Sequence, residues 1–115
     1  MSAEMSNPLK IDFVASAKKL AASGDASVAL FQHGGANLLL FVPQDQDNQQ
    51  AHKRDELYFI QAGHGIFKRG EETVRFDAGD VLFVPAGTPH RFSSFSAEFK
   101  AWVMFFGPQG GSPQE

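Results

Sequence analysis

The chain has 115 residues, 43% apolar and 20% charged, which is one domain's worth of a core-forming sequence and excludes a disordered one. The formal net charge is −3, and the ten basic residues are scattered, with nothing denser than doublets such as Lys18-Lys19 and Lys53-Arg54. The concentrated basic footprint of a nucleic-acid binder is therefore missing. Cysteine is absent, which removes disulfides, thiolate-bound zinc and a cysteine nucleophile. The longest apolar run, Ala101 to Phe106, falls far short of the ~20 residues of a membrane helix.

Residues 1–10 are polar and are expected to form a flexible N-terminus. The first 25 residues hold no basic stretch followed by an apolar one. No signal peptide is expected, and a cytoplasmic location is the default. From Asp12 to Ser23, Phe13, Ala17 and Leu20 fall at i, i+4 and i+7. This spacing predicts a short amphipathic helix, capped by Asp12 and stopped by Gly24.

Beyond Gly24 the helical period disappears and short strands with turn punctuation follow. Ser27 to Gln32 and Asn37 to Val42 read as a strand pair around His33-Gly34-Gly35. Pro43 to Gln50 is polar and loop-like. Glu56 to Gln61 is a strand, and Gly65 to Arg69 with Thr73 to Phe76 flank the hairpin signal Gly70-Glu71-Glu72. Val81 to Val84, His90 to Phe92 and Phe99 to Phe106 complete the set. About eight short, closely spaced strands imply an all-β sandwich or barrel. A single domain over residues 11–107 is expected, followed by a flexible tail over 108–115. Twelve Phe against one Tyr and one Trp point to a dry interior. The last strand is apolar on both faces, so it should be buried on both sides, inside the fold or against a second copy.

Three side chains suggest metal chemistry: His52, Glu56 and His90. His52 and Glu56 are four apart, which would place them on one face of an extended strand. Gln50 and Arg54 share that parity, and a cation is unwelcome at a metal site, so the strand must bulge or begin near residues 53–55. His90 follows a restricted turn in which Pro85 and Pro89 fix the chain and Gly87 supplies positive φ. Such a turn aims the residue after it. Two imidazoles and a carboxylate are the ligand set of the 2-His-1-carboxylate sites, which leave positions open to substrate or dioxygen. The bland reading of Glu56 is a surface ion pair with Lys53 or Arg54. His33 and His64 sit beside glycines in turns and are expected to face solvent.

These residues carry a resemblance. Gln50 to Gly63 and Gly79 to Ser94 resemble the two motifs of the cupin superfamily, G-x5-H-x-H-x3,4-E-x6-G and G-x5-P-x-G-x2-H-x3-N. The first is matched from its second His onward by His52, Glu56 and Gly63, and the second by Gly79, Pro85, Gly87 and His90. Three departures stand out: the leading Gly is absent, Gln50 replaces the first His, and Ser94 replaces the closing Asn. The resemblance implies a double-stranded β-helix (jelly-roll) barrel with a short N-terminal helix, and a homodimer. It implies that His52, Glu56 and His90 hold a divalent ion (Fe, Mn, Ni or Zn), with Gln50 or water completing the set. Tyr58 and Ile60 share parity with Glu56, and Phe92 with His90; Tyr58 and Phe92 are expected to line the interior beside the site. The many Phe and the lack of an Arg and Lys cluster make the expected partner a small organic molecule, an apolar or aromatic acid rather than a sugar phosphate. The implied function is a mononuclear metalloenzyme of dioxygenase or isomerase type; the alternative is a non-catalytic binding module.

Overall fold

The computed structural model describes residues 8–44 and 51–111. Gln50 and most of the expected loop before it lie outside the described residues. The helix α1 (Phe13–Ser23) forms where its spacing places it. The Asp12 carboxylate accepts from the Ala15 N–H at 2.8 Å, satisfying one of the orphan donors of the first turn. Gly24 closes the helix at φ 75°, a conformation that only glycine adopts cheaply. Ser16 and Leu20 are buried, and Phe13 meets Trp102 edge-on with ring centroids 5.8 Å apart.

Among the described residues eight strands follow: β1 (Ser27–His33), β2 (Ala36–Phe41), β3 (Asp55–Ala62), β4 (His64–Arg69), β5 (Glu72–Asp77), β6 (Val81–Val84), β7 (His90–Phe95) and β8 (Lys100–Phe106). They form two sheets, in the order β1-β2-β8-β3-β6 and β5-β4-β7. Every pairing is antiparallel. The described residues make a mostly β structure with one short helix, of the two-sheet kind a jelly roll is built from. Among the described residues, no helix is long and apolar enough to cross a membrane.

Strand alternation sorts the side chains. Phe41, Tyr58, Ile60, Val84, Ala101 and Val103 point inward from the larger sheet. They meet Phe67, Phe76 and Phe92 from the smaller one, with Phe99 between them. The rings interlock: Phe92 lies 4.7 Å from both Phe67 and Phe99, and 4.9 Å from Tyr58. Tilted and edge-on pairs of this kind add to simple area burial. The other face of β8 carries Trp102, whose register partner on β2 is the fully buried Leu40. The helix α1 packs on β1 and β2. The last strand is thus covered on both sides near Ala101 and Trp102, although Trp102, Met104 and Phe106 on its outer face are only half-buried.

Two glycines let neighbouring backbone segments approach. Gly63 sits at φ 90°, and a Cβ there would lie 2.6 Å from the Phe99 Cα. At Gly65 a Cβ would run into the Ser94 carbonyl and lie 2.8 Å from the Phe95 Cα. A side chain at either position would force backbone apart.

Candidate metal centre

The strand β3 begins at Asp55, so His52 and Arg54 precede it and the parity conflict vanishes. Arg54 turns away from Glu56. Its Nε donates to the Gly107 carbonyl at 3.0 Å, its Nη1 to Asn37 Oδ1 at 2.6 Å, and its Nη2 to the Gly35 carbonyl. The bland expectation of a Glu56–Arg54 or Glu56–Lys53 surface pair is not what the structure holds: Glu56 is 1% exposed and faces two histidines.

The segment bearing His52 and the turn bearing His90 are stitched together. The Gly87 N–H donates to the His52 carbonyl at 2.7 Å. The Asp55 carboxylate accepts from the Ala86 N–H at 2.9 Å. Glu56 and Val84 are register partners on β3 and β6, which brings the start of β3 beside the turn that follows β6. Two short segments, residues 52–56 and 84–90, some thirty residues apart in sequence, therefore share one corner of the fold.

In that corner one donor atom from each of His52, Glu56 and His90 lies within 4.8 Å of the others. Glu56 Oε1 is 3.1 Å from His90 Nε2 and 3.9 Å from His52 Nε2. The His52 and His90 rings are 5.2 Å apart. His52 rests edge-on against Phe105, centroids 5.0 Å apart, and keeps a third of its side chain exposed. The His90 side chain is fully buried. It packs on Tyr58 at 6.0 Å and Phe67 at 6.1 Å.

The position of one ring hydrogen of His90 follows from its neighbour. Nδ1 is 2.9 Å from the Thr88 carbonyl. A carbonyl oxygen can only accept, so Nδ1 carries the hydrogen, and in the neutral ring the lone pair sits on Nε2. That lone pair faces Glu56 Oε1, a buried carboxylate oxygen with no hydrogen-bond partner among the described residues. The 3.1 Å approach is close, but it is not aligned as a hydrogen bond. Two electron-rich atoms turned toward one another in a dry corner are compensated by a cation between them. The donor set of two imidazoles and one carboxylate fits a divalent first-row ion.

Tyr58 packs on His90 and Phe92 packs on Tyr58, both within the buried core rather than on an open wall. His33 and His64 are exposed and apart from the triad. Sequence reasoning missed Asp55 and the Thr88 carbonyl, which position ligands rather than supply them, and the Phe105 wall. Of these only Phe105 left a trace in the sequence, by sharing parity with the inward Ala101 and Val103.

Comparison with known proteins agrees with the geometry. The Cupin_2 family model, a cupin domain, matches residues 37–106, and the chain belongs to that family. An uncharacterized protein of Streptomyces coelicolor is 36% identical over 63 residues, covering 55% of this chain and 60% of its own length. An acireductone dioxygenase of Geobacillus thermodenitrificans is 44% identical over 66 residues, covering 51% of this chain and 37% of its own. The chain thus spans less than two thirds of either relative. Among solved structures, a cupin superfamily protein of Desulfitobacterium hafniense superposes with a TM-score of 0.57 at 25% identity, over 70% of this chain and 74% of the other. KdgF from Halomonas reaches 0.62 at 14% identity, over 72% and 78%, a likeness of fold.

Proposed function

We propose that the protein is a small mononuclear metalloenzyme acting on a small organic molecule, with His52, Glu56 and His90 holding a divalent ion and Gln50 or water completing the set. The observation that carries this reading is the buried, unpartnered Oε1 of Glu56 facing the lone-pair nitrogen of His90. An ion bound there would supply Lewis acidity or an open coordination position. The chain's own contribution is to fix His90 through the Thr88 carbonyl, to hold the carboxylate dry, and to leave the His52 side accessible. Similarity to proteins named acireductone dioxygenases over half the chain favours dioxygen chemistry over isomerisation.

The same reading carries a closed jelly-roll unit over residues 11–107, a cytoplasmic location and a homodimer. Phe83, 44% exposed, and Val81, 54% exposed, on the outer face of β6 support the pairing, which light scattering tests. The second reading, a binding module without turnover, is separated from the first by assay.

Protein purified without added metal is analysed for Fe, Mn, Ni, Co and Zn. The expectation is close to one ion per chain after loading. Less than about 0.1 per chain, with no uptake at micromolar metal, overturns the proposal. Oxygen consumption with acireductone, catechols, flavonols and β-diketones then distinguishes enzyme from binder.

A further inference from the structure

Beside His52 the inner face of the larger sheet opens into a cleft of about 630 Å³, in the size range of small-molecule sites. Part of its floor is a single register row. Gln32, Asn37 and Phe105 pair across β1, β2 and β8, and Phe105 pairs onward with Glu56 on β3. A bulge at Leu30 sets this up. Ala29 pairs with Leu39 and Phe31 with Leu38, so β1 changes face between them and turns Gln32 toward Asn37 and Phe105. The floor of the cleft therefore runs without a break to the carboxylate of the triad.

The polar groups of the cleft are one-sided. Lys53 and Arg54 line it, and no Asp or Glu does among the described residues. Neither cation is ion-paired among those residues. Arg54 is satisfied by neutral oxygens alone, so its charge is solvated by dipoles and not cancelled. Its bond to Asn37 Oδ1 also fixes that amide: the oxygen is used, and the NH2 is the group left to donate. Against these stand apolar walls, Leu39 and Phe105.

We propose that this cleft binds a small organic carboxylate with an apolar body. The anion would sit among Lys53, Arg54 and the Asn37 amide. The body would lie on Leu39 and Phe105, and its far end would reach the triad past His52. The inference rests on the metal-centre reading for the direction of the substrate; the binding step itself needs no metal. A sugar would leave the Leu39 and Phe105 walls unused.

The test uses the full chain stripped of metal, titrated with phenylacetate and with its neutral isostere phenylacetamide, and followed by backbone amide shifts in two-dimensional NMR. Phenylacetate is expected to shift amides of β1, β2 and residues 53–54, and to bind about fivefold tighter than the amide, the scale of one exposed ion pair. Lys53→Gln, at an exposed position that leaves the Arg54 bonds intact, should weaken phenylacetate about threefold and leave phenylacetamide unchanged. Equal affinities for acid and amide, an acid affinity insensitive to Lys53→Gln, shifts clustered elsewhere, or no shifts at all would each overturn the proposal. Metal content measured on the same protein keeps the two readings apart. A preference for the acid in a chain that takes up no ion sinks the metalloenzyme reading alone; a loaded chain with no such preference sinks only this one.

Discussion

The behaviour of the triad turns on where two lone pairs point. His90 is locked by its Nδ1 bond to the Thr88 carbonyl, so its other nitrogen faces the Glu56 oxygen whether or not anything lies between. The metal-free chain therefore buries a carboxylate oxygen that accepts no hydrogen bond among the described residues, with the two histidines beside it. Glu56→Gln replaces that charge with a neutral amide, and the metal-free protein should gain about 1 kcal/mol in a urea melt. The same variant should lose metal uptake. A stability loss of several kcal/mol instead would mean that the carboxylate is satisfied by protein groups. Asp55 acts one step further out, through the Ala86 N–H. Asp55→Ala should weaken metal affinity about tenfold or more, as loss of a supporting hydrogen bond around a ligand does, and Asp55→Asn, which keeps an acceptor oxygen, should recover most of it.

At the scale of elements, the site is made by pairing two short segments. The antiparallel register of β3 with β6 sets Glu56 against Val84. The chain leaving β6 then meets the chain entering β3, and two hydrogen bonds, from Ala86 and Gly87, hold them. The turn Pro108–Gly111, at the start of the expected tail, joins the same corner: the Gly110 N–H donates to the Lys53 carbonyl at 2.7 Å. The opposite end of the fold depends on close backbone approach. Gly65→Ala would push Cβ into Ser94 and Phe95, and it is expected to cost about 2 kcal/mol or more by thermal melt. Asp12→Ala removes the helix cap and should cost about 1 kcal/mol, while metal uptake stays at the wild-type value, because α1 touches none of the three ligands.

Across the whole molecule, stability comes from one cluster of aromatic rings shared by the two sheets. Phe99, 1% exposed, touches Phe41, Phe76, Phe92 and Phe95. Phe99→Ala should cost about 3–5 kcal/mol, measured by denaturant unfolding. The triad sits at the edge of this cluster, with His90 against Tyr58 and Phe67, so ligand binding and global stability are linked. Metal at about 100 times its dissociation constant should add roughly 2.7 kcal/mol to the unfolding free energy, and the increment should vanish in His90→Ala. An equal increment in that variant would place the ion elsewhere.

Much of this was legible in the sequence because its causes are local. The Asp12 cap and Gly24 stop act within one helical turn. The strand boundaries follow from apolar runs cut by glycine and proline, and His52, Glu56, Gly63, Gly79, Pro85, Gly87 and His90 carry the resemblance to the cupin motifs. Three things were decided only in three dimensions, because each depends on segments that meet through strand register and not through chain neighbourhood. Arg54 leaves the triad because Asn37, Gly35 and Gly107 offer it oxygens across two other strands. Glu56 is stranded beside His90 because β3 pairs with β6 in one register and no other. The cleft exists because a single extra residue, Leu30, switches the face that β1 presents. Local rules place a residue on an element; only long-range pairing decides what it faces.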